Sequence, residues 1–307
     1  MSASPASARA AEWLADHITP LAALAVALGL AAPSQAVARR SDVLLAALVL
    51  ATAAQIDPRA LRALRRNAPA IGALAVGTLI VLTGVAWLIS RLFTGDVRTG
   101  VLSLGLASTE VASVGLVGLA GADTVLALGV LTVSLIASAV LGPVLAGLLG
   151  SPGGHGGSDL GLLARFALIV LVPLAAGLLL RGLRPALERA AGNLDGVAAL
   201  LVCALLYAAI SGVHGGELGL GMIGSAAFIL ASSALGLLLR PLVRRRLDPD
   251  AVLFTTGLRD FAVAATLAAQ AFGTRAASIA GEYGALMLLL GAATATLLRR
   301  RARAREP

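Results

Sequence analysis

The 307-residue chain is 58% hydrophobic, 13% charged and 3% aromatic, with a formal charge of +8. Soluble domains carry about 25% charged residues, so this chain cannot cover a water-facing surface of the usual kind. A soluble enzyme, a nucleic-acid binder and a secreted scaffold are disfavoured together. The apolar residues fall into ten runs of roughly 20, long enough to cross the roughly 30 Å hydrocarbon core as helices. This predicts an all-α, polytopic membrane protein.

In chain order, a short N-terminal tail (1–12) precedes spans over Trp13–Ala32, Asp42–Gln55, Ala68–Phe93, Val97–Leu119 and Thr124–Leu149. The second is short for a membrane helix. A glycine-rich linker, Gly150–Asp159 (GSPGGHGGSD), then divides the chain. Five more spans are expected over Leu160–Leu180, Leu194–Val213, Leu218–Leu239, Ala251–Phe272 and Ala276–Leu298, followed by a basic tail (299–307). The halves are therefore 13–149 and 160–298.

All 24 basic residues are arginine. If the N-terminus is inside, seventeen lie in inside loops and tails, among them Arg59, Arg62, Arg65, Arg66, Arg240 and Arg244–Arg246. Five lie outside (Arg39, Arg40, Arg91, Arg98, Arg275), and Arg165 and Arg259 fall within spans. Basic residues favour the cytoplasmic side, so both termini are expected in the cytoplasm of a plasma-membrane protein. The rival reading of residues 1–36 as a signal peptide needs a basic n-region, where Glu12, Asp16 and His17 stand instead. Cys203 is alone, and His17, His155 and His214 are scattered, so neither a disulfide nor a structural metal site is expected. Pro58–Arg66 and Arg299–Arg305 read as interfacial basic segments facing anionic headgroups.

Five spans on each side of the linker make the second half enter the membrane inverted. Transporters built this way carry their sites near the midplane, on interrupted helices. The fourth span has one ionisable residue, Glu110, after Ser108 and Thr109; the ninth has Arg259 and Asp260, after Thr255, Thr256 and Gly257. Glu110 and Asp260 stand 150 positions apart, as do Thr132 and Glu282. A carboxylate at bilayer depth costs several kcal/mol unless paired or wetted. Ser, Thr and Gly beside it favour opening the helix, which frees carbonyls and half-helix ends as ligands. Ser108, Thr109, Glu110, Thr132, Ser134, Thr255, Thr256, Asp260 and Glu282 are therefore candidate cation ligands, all with hard oxygen donors. Counting Glu110, Arg259 and Asp260, the crossing carries a net charge of −1; adding Glu282 makes it −2, which calls for one or two cations or protons. The plainer readings are structural: Arg259 pairing with a carboxylate, Glu282 near the outer interface, Arg165 snorkelling, and Gln270, Asn193 and Tyr283 simply hydrogen-bonded.

The stretches Leu102–Gly142 and Thr255–Ala269 resemble the bile acid:sodium symporter superfamily, and the similarity extends over nearly the whole chain. The resemblance implies two inverted five-helix repeats whose fourth and ninth helices unwind and cross, with sodium bound behind the crossing. It also implies a core of spans 3–5 and 8–10 working against a panel of spans 1, 2, 6 and 7, with an organic anion between them. Family members that bind sodium carry Ser-Asn at the first crossing and Glu-x-Gly-x-Gln-Asn at the second. Here these read Thr109-Glu110 and Thr255-Thr256-Gly257-Leu258-Arg259-Asp260, so acids replace both asparagines and Arg259 replaces the glutamine. The arsenite-exporter branch relies on a cysteine in the fourth span, which this chain lacks.

The expectation is a secondary transporter in which a sodium ion or proton, and no resident cofactor, drives symport of a small organic anion, with Arg259 a candidate substrate contact. A sodium/proton antiporter on the same architecture, and a non-transporting membrane receptor or scaffold, are the alternatives. The bilayer and the anion are the partners this reading requires. Nucleic acid is not one, and no nucleophile–base set or phosphate loop points to an enzyme.

Overall fold

The computed structural model describes residues 13–14, 17–38, 40–54, 67–149, 160–183, 186–211 and 218–303. The N-terminal tail, the linker Gly150–Asp159 with His155, the basic segment Pro58–Arg66 and His214 lie outside the described residues, as do the side chains of Arg165, Arg189 and Asn193.

The first five apolar runs form α1 (Ile18–Ala31), α2 (Ser41–Ala53), α3 (Ala68–Ser90), a pair α4 (Gly95–Leu106) and α5 (Ala112–Ala120), and α6 (Thr124–Leu149), with a short helix Gln35–Ala38 after α1. The rest form α7 (Leu160–Leu183), α8 (Ala186–Ile210), α9 (Leu218–Val243), a pair α10 (Pro249–Gly257) and α11 (Phe261–Ala271), and α12 (Thr274–Arg303). Among the described residues there is no strand. The helices over Ala68–Ser90, Thr124–Leu149, Gly219–Val243 and Thr274–Ala295 are each long and apolar enough to cross a membrane. The 23 residues of α3 alone span about 35 Å. Large apolar side chains on their outer surfaces are exposed, among them Leu88, Leu148, Leu238 and Leu290, as lipid-facing positions should be.

Most boundaries differ from the sequence expectation by a few residues, and two helices extend furthest beyond it. Helix α8 begins at Ala186 rather than Leu194, and α12 runs on to Arg303 rather than stopping near Leu298. The first extension, ALERAAGN, and the second, RRRAR, are both rich in Ala and Arg, strong helix formers, and contain no proline. Sharper boundaries have local causes. Asp248 caps α10 by accepting from the N–H groups of Asp250 and Ala251 at 2.8 and 2.9 Å, with Pro249 in the first turn. Arg240 ion-pairs with Asp250 and ties the end of α9 to that cap. Helix α5 ends at Gly121, whose φ of +75° is left-handed and suits only a residue without a Cβ.

The helices pack as two groups. In one, α2 lies against α7 and α8, and α8 against α1. In the other, α3 packs on α4 and α6, α9 on α10 and α12, and α12 on α4, α5 and α11. The groups meet where α6 touches α7, where α1 and α8 touch α12, and where α2, α7 and α8 touch α11. At 3.4 Å, the Gln270 amide of α11 also donates to the Asp42 carboxylate of α2. Close approach within the second group depends on glycine. A Cβ placed on Gly105 of α4 would lie 2.6 Å from the Leu82 carbonyl oxygen and 2.9 Å from Thr83 Cα of α3.

Gly105→Ala is therefore expected to destabilise the protein by about 1–3 kcal/mol, as overpacking does. Gly84→Ala in α3, where an added Cβ meets nothing within 4 Å, is expected to leave stability unchanged or slightly raised. Thermal unfolding of the detergent-purified variants checks both.

Candidate functional site at the helix crossing

The fourth and ninth spans each break in the middle. Helix α4 stops at Leu106, where Ala107 turns extended (φ −73°, ψ 158°). Helix α10 stops at Gly257, with Leu258 and Asp260 extended (ψ 121° and 103°). Ser108 and Thr109, and Thr255 and Thr256, have hydroxyls that compete for backbone groups and so weaken a helix locally.

The two opened segments run antiparallel and meet at Thr109 and Arg259. The Asp260 N–H donates to the Ser108 carbonyl at 2.8 Å, and the Glu110 N–H donates to the Leu258 carbonyl at 3.1 Å. One short strand-like bridge thus holds two half-helix ends and two half-helix starts together inside the protein. Ser108, Thr109 and Arg259 are 0% exposed, and Glu110 and Asp260 are 1% exposed.

Inside a membrane every backbone polar group must find a partner, and the neighbouring helices supply them in pairs. The Thr109 N–H donates to Ser134 Oγ of α6 at 2.8 Å; the Arg259 N–H donates to the Tyr283 hydroxyl of α12, also at 2.8 Å. Thr83 of α3 donates to the Gly105 carbonyl at 3.0 Å, and Ser232 of α9 donates to the Gly257 carbonyl at 2.8 Å. Ser138 of α6 donates to the Leu106 carbonyl at 2.7 Å. The crossing residues then reach across to each other: Thr109 Oγ1 donates to the Thr255 carbonyl at 2.9 Å, and Arg259 Nη2 donates to the Ala107 carbonyl.

The carboxylates cap the half-helices that begin at the crossing. Asp260 Oδ1 accepts from Ala262 and Val263 at 2.9 and 3.0 Å. Glu110 bridges both starts, with Oε1 accepting from Ala112 at 3.2 Å and Oε2 from Phe261 at 3.3 Å. Helix N-termini favour negative charge, so these two acids sit where the backbone has donors to offer. Asp260 Oδ2, Ser108 Oγ and Thr256 Oγ1 are buried with no hydrogen-bond partner. Those oxygens are hard donors suited to a small hard cation.

The structure thus brings together Ser108, Thr109, Glu110, Ser134, Thr255, Arg259 and Asp260, while Thr256 adds a buried hydroxyl one residue along α10. Thr132 is committed to its own helix, donating to the Leu128 carbonyl at 2.8 Å. Thr255 Oγ1 likewise donates to Ala251 at 2.9 Å. Glu282 is buried with its carboxylate packed against Gly221 of α9, and it is its neighbour Tyr283 that reaches the crossing. Arg259 makes no ion pair with either carboxylate among the described residues; its guanidinium lies on the Ala107 carbonyl instead.

Sequence reading did not single out Thr83, Ser138 or Ser232, and treated Tyr283 as incidental. For Thr83, Ser232 and Tyr283 a signal existed. Thr83 and Ser232, and Ser134 and Tyr283, stand 149 positions apart, within one residue of the spacing that relates Glu110 to Asp260.

Apolar helices of membrane-spanning length around a buried polar crossing define a multi-pass membrane protein with the architecture of a transporter. The family described as the Sodium Bile acid symporter family matches residues 42–216. The match covers more than half of the chain, which belongs to that family. Compared with curated proteins, the chain matches none.

Ser134→Ala and Tyr283→Phe each remove the hydroxyl that accepts a crossing N–H. Leaving such a donor unsatisfied costs about 1–3 kcal/mol, so each variant is expected to unfold at a lower temperature. Thr294→Ala, which loses only a bond from an exposed hydroxyl to its own helix, is the control expected to stay close to wild type.

Proposed function

We propose that the protein is a cation-coupled secondary transporter of a small organic anion, working by alternating access in the plasma membrane with both termini cytoplasmic. The observation that carries this reading is the antiparallel contact of two broken helices at Thr109 and Arg259, which gathers two carboxylates and several hydroxyls in a buried position. Membership of the sodium bile acid symporter family supports sodium as the coupling ion.

In this reading the α4–α5 and α10–α11 pairs are the crossing helices of two inverted five-helix repeats. The paired roles of Ser134 and Tyr283, and of Thr83 and Ser232, support that symmetry. Glu110 and Asp260 supply the negative charge that attracts the cation, and Ser108 and Thr256 supply neutral oxygens. The group α1, α2, α7 and α8 is the panel against which the remaining helices move, and the anion binds in the cleft between them. Gln270 and Asp42 make a polar contact across that division, which such a motion would break and remake.

The pair of acids also supports a second reading, exchange of sodium for protons with no organic substrate. Both carboxylates cap α11 on adjacent N–H groups, Glu110 at Phe261 and Asp260 at Ala262 and Val263, so a change in the charge of one is felt by the other at the same helix start. The two readings part on whether proteoliposomes loaded with a pH gradient move sodium in the absence of any organic anion.

A ligand that binds only the folded state stabilises it by RT ln(1 + [L]/Kd), about 2.7 kcal/mol at a hundred times Kd. Sodium chloride, against choline chloride, is therefore expected to raise the unfolding temperature of the purified protein. Glu110→Gln and Asp260→Asn are each expected to abolish the rise. A pH response with no sodium response would favour proton coupling. No response to either ion in folded protein would remove the cation-coupled reading.

A further inference from the structure

We infer that Arg259 is a built-in cation of the crossing, standing in for one coupling ion, so that the site is electrically complete with a single cation or proton. The inference rests on the cation-coupled reading above and adds its stoichiometry.

The starting point is the surroundings of the guanidinium. Arg259 is 0% exposed and is among the largest fully buried side chains of the protein. A buried charge is costly unless it is compensated where it lies. Its Nη2 donates to the carbonyl of Ala107, the residue that ends α4. That is the C-terminal end of a half-helix, where carbonyl oxygens lose their intrahelical partners and the helix dipole is negative. Transporters with broken helices coordinate cations at such ends. Here a tethered guanidinium occupies that ground.

The other half of the crossing gives a comparison within the same molecule. Thr109 is the residue paired with Arg259 in the bridge, and its side chain also reaches the opposite segment, onto the Thr255 carbonyl at 2.9 Å, two residues earlier than the position that corresponds to Ala107. That contact is made by a neutral hydroxyl. Both sides of the bridge thus send one side chain across, and only residue 259 brings a positive charge with it.

Charge then sets the number of ions. Glu282 stands outside the count, because its carboxylate lies against Gly221 of α9 and not at the crossing. With both crossing acids ionised, Glu110 and Asp260 contribute two negative charges and Arg259 one positive charge, leaving one to be balanced from solution. The supply of unused ligands points the same way. Asp260 Oδ1 is engaged by two N–H groups while Oδ2 has no hydrogen-bond partner, and the buried hydroxyls of Ser108 and Thr256 are also without one. Burial of the guanidinium also argues against a role as the anchor of the organic anion, which needs a charge that the substrate can reach.

The test is to count sodium ions bound by the purified full-length protein, by equilibrium dialysis with radiolabelled sodium, alongside the protons released or taken up on binding. Wild type is expected to saturate at about one cation equivalent per chain, met by sodium or by a proton. Arg259→Gln removes the internal charge and is expected to raise the count to about two. Arg259→Gln combined with Glu110→Gln removes one charge of each sign and is expected to return it to about one. A count of two in wild type overturns the inference, whether or not the variant folds. So does an unchanged count in folded Arg259→Gln. Wild-type protein that is folded but binds neither sodium nor protons takes away the cation-coupled reading itself, and the stoichiometry with it.

Discussion

The structure depends on one constraint: a backbone opened at bilayer depth must have every N–H and C=O satisfied by protein. The crossing meets it with two hydrogen bonds, Asp260 to Ser108 and Glu110 to Leu258, which make each broken segment the partner of the other. Neither break is tolerable alone. Close packing of α3 on α4, the hydroxyls that α3, α6, α9 and α12 direct at the crossing, and the caps provided by Glu110 and Asp260 all serve this arrangement.

The same constraint explains why the site is polar without being open to water. The residues that release the backbone from helical geometry also satisfy it. Thr109 weakens the helix locally, presents its N–H to Ser134 and sends its hydroxyl to Thr255. Glu110, beside the opened residues, caps two half-helices. What is left over around the crossing is one oxygen of Asp260, the hydroxyls of Ser108, Ser113 and Thr256, and part of the Arg259 guanidinium. A binding site in a membrane protein is most economically built from such remainders, because any other buried polar group costs stability without return.

The crossing lies wholly within one of the two helix groups, so the motion between groups that the proposed function invokes would leave its hydrogen bonds intact. The contact of Gln270 with Asp42, by contrast, spans the division at 3.4 Å, a weak bond by the usual measure and easily exchanged for another partner.

Much of this was legible in the sequence. The apolar runs foretold the helices because a membrane span needs only length and hydrophobicity. Glu110, Arg259 and Asp260 stood out because charge is expensive at bilayer depth. The internal spacing of about 150 residues links the two polar segments in the sequence itself. What the sequence could not decide was which hydroxyl serves which backbone group. Ser134, Ser138, Ser232 and Thr83 are ordinary small polar residues in apolar runs, and only their approach to the broken segments gives them a task. Tyr283, and not the more conspicuous Glu282, reaches the crossing because the rotation of α12 sets which neighbour faces inward. Arg259 lies on the Ala107 carbonyl and not on a carboxylate, because its partner comes from 152 residues away. Composition and periodicity are local properties and fix local structure; pairings across such separations are chosen by how the helices pack.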